Sequence, residues 1–259
     1  MARRILIPSL TGLVVVAALF GVAWVRTNYS CWELRRSENA YRLRNYELAM
    51  ALLEKAASAD AHKPSAYLCR AEATMRRTTW MSTGPLDSSS AQRAIADYRL
   101  VLAAEPDNVQ ALKGAAQLLL RIQRLDEARS YYLRVAELRP TDAETFYGLG
   151  AISWSRAYQQ RMTLAANLGR HANDPLVDLP QCRQLKAAVE QQVDDALRFL
   201  QKALSLDGSR SETMAYLNLA YRERAQIQCG DHAAYARDIS EADKWVDKTM
   251  EAMKAKASQ

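Results

Sequence analysis

Residues 107–140 read DNVQALKGAAQLLLRIQRLDEARSYYLRVAELRP, and their spacing decides the fold. Leu112, Ala115, Ala116 and Leu119 recur at three- and four-residue intervals, the period of one helix face. Asp107 or Asn108 stands where such a helix needs a cap. A polar break at Gln123-Arg124 precedes a second stripe of Leu125, Ala128, Tyr132, Val135 and Leu138, which Pro140 stops. Two helices this short cannot bury their apolar faces alone, so the pair needs neighbours of its own kind.

Those neighbours are present. Ala128, Tyr132 and Pro140 have counterparts 34 residues upstream in Ala94, Tyr98 and Pro106. Downstream the frame returns as Ala196, Leu200 and Gly208, and more loosely as Ala49, Leu53 and Ala61 and as Ala242 and Val246. The first helices match too: Leu112-x-x-Ala115-Ala116, Phe146-x-x-Leu149-Gly150 and Met214-x-x-Leu217-Asn218. A small residue belongs where two helices cross, and a large one fills the gap beside it. This frame resembles the tetratricopeptide repeat family over roughly residues 29–255.

The resemblance implies an all-α, superhelical array of about five helical hairpins. In this family the first helix of each pair lines a concave groove that receives peptides or extended segments. Carried over residue by residue, the groove positions are Gln110, Lys113, Gln117 and Arg121, then Glu144, Tyr147, Ala151 and Trp154, then Glu212, Ala215, Leu219 and Arg222. Lys113 with Gln117 is similar to the family's clamp for a terminal carboxylate. Gly148, however, stands where the next repeat should offer Asn, so a clamp of that type is rejected. Tyr147 and Trp154 read either as aromatic anchors for a partner or as packing for the insertion that follows them. Arg222-Glu223-Arg224 reads either as a binding determinant or as a local ion-pair network that holds the last turn.

Composition agrees with helix throughout. The chain has 259 residues with only 9 Gly, 7 Pro and 3 Phe, which argues against a many-stranded β protein. Its net charge is +6, but acidic residues interleave with the basic ones and no long basic run stands ready for phosphates, so no nucleic-acid partner is expected.

Arg3 and Arg4 precede an uncharged stretch, residues 5–25, ILIPSLTGLVVVAALFGVAWV. Twenty-one such residues suffice to cross a bilayer and exceed the usual apolar core of a cleaved leader. The expectation is a signal anchor over residues 1–27, spanning the membrane as a single helix ahead of a repeat domain at 28–259. Gly21-Val22-Ala23 keeps cleavage open as the alternative. Arg-Arg before an apolar core favours export, which places the repeats in the periplasm of a bacterial inner-membrane protein. Arg26, Arg35, Arg36, Arg42 and Arg44 behind the span pull the other way.

Cys31, Cys69, Cys182 and Cys229 lack metal spacing. In an exported chain they form up to two disulfides, with Cys182 to Cys229 the favoured pair; four separate buried thiols are the alternative. Two insertions interrupt the repeat domain, near 78–90 and 160–188.

No phosphate loop, nucleophile elbow or HExxH pattern occurs. His62, His171 and His232 are too scattered for a metal site or a triad, and Glu190 with Asp194-Asp195 reads as a solvated helix surface. No catalytic, cofactor or metal residue is expected. The preferred function is a non-enzymatic, membrane-anchored scaffold that recruits another protein or a peptide to an envelope complex. The alternative is a self-associating structural component; Trp245, Met250 and Met253 beside Lys244, Lys248, Lys254 and Lys256 read either as a polar-faced cap or as its mating surface.

Overall fold

The computed structural model describes residue 29 and residues 31–59, 63–80, 88–171 and 174–257. The apolar stretch at 5–25 lies outside them, as do His62 and most of the connection expected near 78–90. Among the described residues no helix is long and apolar enough to cross a membrane.

Every regular element among these residues is an α-helix. They are α1 (31–42), α2 (Tyr46–Ser58), α3 (Pro64–Trp80), α4 (Ser88–Ala104), α5 (Val109–Arg121), α6 (Leu125–Leu138), α7 (Ala143–Asn167), α8 (Cys182–Leu206), α9 (Ser211–Gln226) and α10 (His232–Ala257). Taken in pairs they are the five hairpins of the repeat frame. Of the two candidate caps for α5, Asn108 serves, its Oδ1 accepting from the Ala111 amide at 3.0 Å.

Two turns show how the short hairpins close without glycine. Arg44 donates to the Tyr41 carbonyl at 2.9 Å and Asn45 to that of Ala40 at 2.9 Å. Gln123 and Arg124 repeat this on Leu120 and Leu119 at 3.1 and 2.8 Å. Such crossed bonds need a left-handed residue at the first position beyond the helix, and Arg44 and Gln123 supply it at φ 58° and 62°.

The chain divides into two compact units, Met1–Leu118 and Leu119–Gln259. In the first, Leu53 and Ala56 of α2 share a core with Ala73 of α3. Arg70 ties α3 to α4 through a two-pronged pair with Asp97 at 2.8 and 2.7 Å, and it also donates to the Ala59 carbonyl at 3.0 Å. Tyr98 is fully buried and its ring fills the space above Gly114, where a Cβ would lie 2.2 Å from the ring carbon Cζ. A disulfide joins Cys31 to Cys69, with Cα atoms 4.9 Å apart.

In the second unit, Ala128 and Ala196 are buried as crossing residues should be. Tyr132 covers Gly148 as Tyr98 covers Gly114, with a Cβ at Gly148 falling 2.4 Å from ring carbon Cζ. At Gly150 of α7, a Cβ would meet Leu200 Cγ at 2.6 Å and the Ala196 carbonyl at 3.3 Å. In the last hairpin Asn218 holds the equivalent place and donates to the Ala242 carbonyl at 2.8 Å. The bulky position of α10, Val246, is 38% exposed, whereas Leu53, Tyr98, Tyr132 and Leu200 are buried. No hairpin follows α10 among the described residues to cover it.

The insertion expected at 160–188 is mostly helix. α7 and α8 each run 25 residues, against 13 and 14 for α5 and α6, so only residues 168–181 are left between them. Longer helices satisfy their own backbone, whereas a free loop of this length would have to find partners elsewhere. The connection is also anchored: Leu176 is fully buried, its amide donates to Gln226 Oε1 at 2.9 Å, and Cys182 is bonded to Cys229 with Cα atoms 5.4 Å apart. The favoured cysteine pairing therefore forms, and the four cysteines are not separate thiols.

Candidate partner-binding face

The first helices carry the expected groove residues on their partly open sides, except Ala151, which is buried in the core of the second unit because α7 is covered there. On α5, Gln110 is exposed while Lys113 and Gln117 are half-buried, all within the first unit. Arg121, exposed, ends α5 in the second unit.

The second unit gathers the aromatic positions. Tyr147 and Trp154 lie seven residues apart on α7, two helical turns, and both meet Tyr216 of α9 edge to face, each with ring centroids 5.4 Å apart. Trp154 also stacks on Tyr158 at 5.0 Å. Cations sit over two of these rings, Arg210 over Tyr147 at 5.2 Å and Arg161 over Tyr158 at 5.1 Å. Burial pushes the Tyr147 and Tyr216 phenols above the ordinary value, so both remain neutral hydrogen-bonding groups. Their ring partner is Tyr216 of α9, and both also pack against the core cluster to which the following insertion contributes Leu176 and Leu185.

Beside the cluster opens a cavity of about 410 Å³. Trp154, Tyr158, Leu219, Tyr235 and Ile239 give it an apolar side, and Arg161, Arg222, Glu223 and Gln226 a polar one. The Trp154 indole N–H is buried there without an acceptor among the described residues. One wall is an ion pair, Arg161 Nε donating to Glu223 Oε1 at 2.8 Å, with side chains only 8% and 2% exposed. Burial outweighs the neighbouring guanidinium and raises the Glu223 carboxyl above its ordinary value.

Arg222-Glu223-Arg224 is not the local network considered from the sequence. Arg222 pairs with Asp243 at 2.7 Å and Arg224 with Asp238 at 2.5 Å, both on α10, while Glu223 faces Arg161 on α7. Consecutive residues on a helix point about 100° apart, so three neighbours reach different surfaces instead of one another. Of the expected groove residues, the fold brings together Tyr147 and Trp154, and Arg222 joins Trp154 at the cavity.

Tyr158, Arg161, Tyr216, Tyr235 and Ile239 were not among the expected positions. One signal for Tyr216 was present. Tyr98 and Tyr132 are each followed sixteen residues later by a glycine, Gly114 and Gly148, whereas Leu200 is followed at the same distance by Tyr216. Large and small exchange places at that step. No group of His, Cys, Asp and Glu among the described residues is arranged to hold a metal; His171 is exposed, and His232 Nε2 lies 3.2 Å from Asp178.

Helices paired through small crossing residues and plugged by a bulky one define a helical-hairpin repeat protein. Residues 86–151 match the tetratricopeptide repeat family, and over that stretch the chain carries the family's repeat. In fold it is similar to MamA (residues 41 to the end) from Desulfovibrio magneticus RS-1, at 18% identity and a TM-score of 0.50, covering 87% of this chain and 96% of that one. It is similar as well to a double mutant of MamA from RS-1, at 17% identity and a TM-score of 0.50, covering 89% and 97%. No curated protein matches the sequence. Repeats of this kind present surfaces for protein–protein contact, and they do so as scaffolds in the usual case.

Proposed function

We propose that this protein is a membrane-anchored scaffold whose first-helix face recruits another protein, or an extended segment of one, to a complex in the bacterial envelope. The observation that carries the reading is the aromatic cavity of the second unit. It is a cavity with one apolar and one charged side, Arg222 among its lining, and it presents Tyr and Trp, residues that dominate binding energy at protein interfaces. The sequence from 5 to 25 supplies the anchor, and the periplasmic placement of the repeats is supported by two disulfides, which persist in oxidising compartments. Catalysis has no part in this reading.

The test is photocrosslinking in intact membranes with a photoreactive residue at Lys113 or Tyr147, repeated in a Leu219→Asp background. A defined partner is expected that is captured reproducibly and lost when Leu219 is charged. Capture unaffected by Leu219→Asp removes the cavity from the reading. Alkylation of the cysteines in living cells tests the compartment, since free thiols would place the domain on the reducing side.

Self-association is a second reading with its own observation. Val246, Met250 and Met253 recur at helical spacing on α10 and are all exposed. A strict monomer by light scattering at high concentration removes it.

A further inference from the structure

Four large apolar side chains crowd one hairpin tip. Tyr41, at the end of α1, is 42% exposed, Leu43 in the turn 81%, and Tyr46 and Leu48 at the start of α2 54% and 43%. Tyr41 and Tyr46 touch edge to face with ring centroids 5.3 Å apart, so the tip is one patch. Its shape is held from within: Asn45 Oδ1 accepts from the Leu48 amide at 3.1 Å, and the left-handed Arg44 closes the turn. A solvent-facing turn has no need of Leu and Tyr; Gly, Asn, Asp and Ser are the ordinary choices. Arg42 and Arg44 flank the patch, with Arg35 and Arg36 further back on α1.

We infer that this tip rests in the headgroup region of the bilayer, with Leu43 and Leu48 toward the acyl boundary, both tyrosines at headgroup level, and the arginines on anionic lipid phosphates. The inference rests on reading residues 5–25 as the membrane segment. Composition favours lipid as the occupant: Tyr beside Leu with flanking Arg is what the interface of a bilayer selects. Chain length favours it too. Only residues 26–30 separate Val25 from the start of α1, and five residues reach at most about 18 Å. Twelve helical residues from Cys31 to Leu43 add about 18 Å. The tip is therefore held within a few tens of ångströms of the bilayer, and the second contact is intramolecular once the anchor is in place. Charge is complementary as well: residues 33–47 carry four arginines against Glu33, Glu38 and Glu47. Although Arg36 pairs with Glu33 at 3.1 Å and Arg42 with Glu38 at 3.4 Å, the exposed Arg35 and Arg44 add positive charge opposite anionic headgroups.

The experiment uses the full chain reconstituted in phosphatidylcholine vesicles containing phosphatidylglycerol. Benzoylphenylalanine is placed at position 43 or, as a control inside the anchor, at position 24. Irradiation is expected to yield a phospholipid adduct at both positions. The yield at 43 should fall about threefold or more when phosphatidylglycerol is omitted or when Arg42→Glu and Arg44→Glu are introduced. A lipid adduct at 24 with none at 43 overturns the inference and leaves the anchor standing. No adduct at either position overturns the anchor reading and the inference with it. An adduct at 43 with a second copy of the chain or another polypeptide overturns the inference in favour of a protein interface. A yield at 43 indifferent to lipid charge overturns the role given to the arginines.

Discussion

Replacing Gly148 by alanine sets two known effects against each other, and the structure says which wins. Alanine is the better helix former by about 1 kcal/mol, so in an open helix the change would stabilise. Here the new Cβ would lie 2.4, 2.6 and 2.9 Å from three carbons of the Tyr132 ring. That ring is rigid and buried, so it has no free space to turn into. Overpacking costs about 1–3 kcal/mol, and three approaches under 3.0 Å to a fixed ring put this case at about 2–3, leaving a net loss of about 1–2 kcal/mol and a fall in Tm of about 2–8 °C. The informative variant is the pair. With Tyr132→Leu the clash disappears, and Gly148→Ala should then stabilise by about 1 kcal/mol, a coupling of about 2–3 kcal/mol between the positions. The chain already uses this exchange, with Leu200 standing sixteen residues before Tyr216. Thermal unfolding of the four variants by circular dichroism measures the cycle. Should Gly148→Ala raise the Tm while Tyr132 is present, the plugged-glycine account of the array is wrong.

Three further outcomes follow from single interactions. Thr145 Oγ1 donates to Asp142 Oδ2 at 2.5 Å, whereas the equivalent Thr213 hydroxyl is buried beside Arg210 with no partner among the described residues. Thr213→Val should therefore raise stability by about 1 kcal/mol and Thr145→Val lower it by about as much, read as opposite shifts in urea midpoint. Glu223 has a folded-state pKa above its ordinary 4.5, so the folded chain holds that proton more tightly and unfolding free energy falls as pH rises from 4.5 through the folded value. The stability gap between wild type and Glu223→Gln should narrow across that window; a widening gap in pH-dependent urea titrations would contradict the burial-dominated environment. Joint replacement of Cys182 and Cys229 by serine opens a loop set by a 47-residue separation. By chain entropy this should cost about 4 kcal/mol, seen as a lower denaturation midpoint that reducing agent shifts less than it shifts that of wild type, because only Cys31–Cys69 is left to open.

The hairpins and their crossings were legible in the residues because helix formation is local. Ala94, Ala128 and Ala196 with Tyr98, Tyr132 and Leu200 report a period, and the side chains at those positions can only face a neighbouring helix. The cap at Asn108 and the partnership of Cys182 with Cys229 were within reach for similar reasons, one from side-chain chemistry and the other from placement in successive repeats. Tyr147, Trp154 and Arg222 were singled out because the family frame states which side of a first helix stays open.

Tertiary structure alone decided the rest. Arg161 and Glu223 are 62 residues apart in the chain, and no periodicity connects them; they meet because α7 runs 25 residues instead of the 13 of α5. The charges of Arg222-Glu223-Arg224 look like one cluster in sequence, yet their helix sends them to separate partners. Tyr216 meets the rings of Tyr147 and Trp154 only because α9 packs against α7. A single chain encodes which face of a helix is apolar, through the geometry of 3.6 residues per turn. Which side chains then share a cavity depends on distances between helices, and those exist only once the hairpins are stacked.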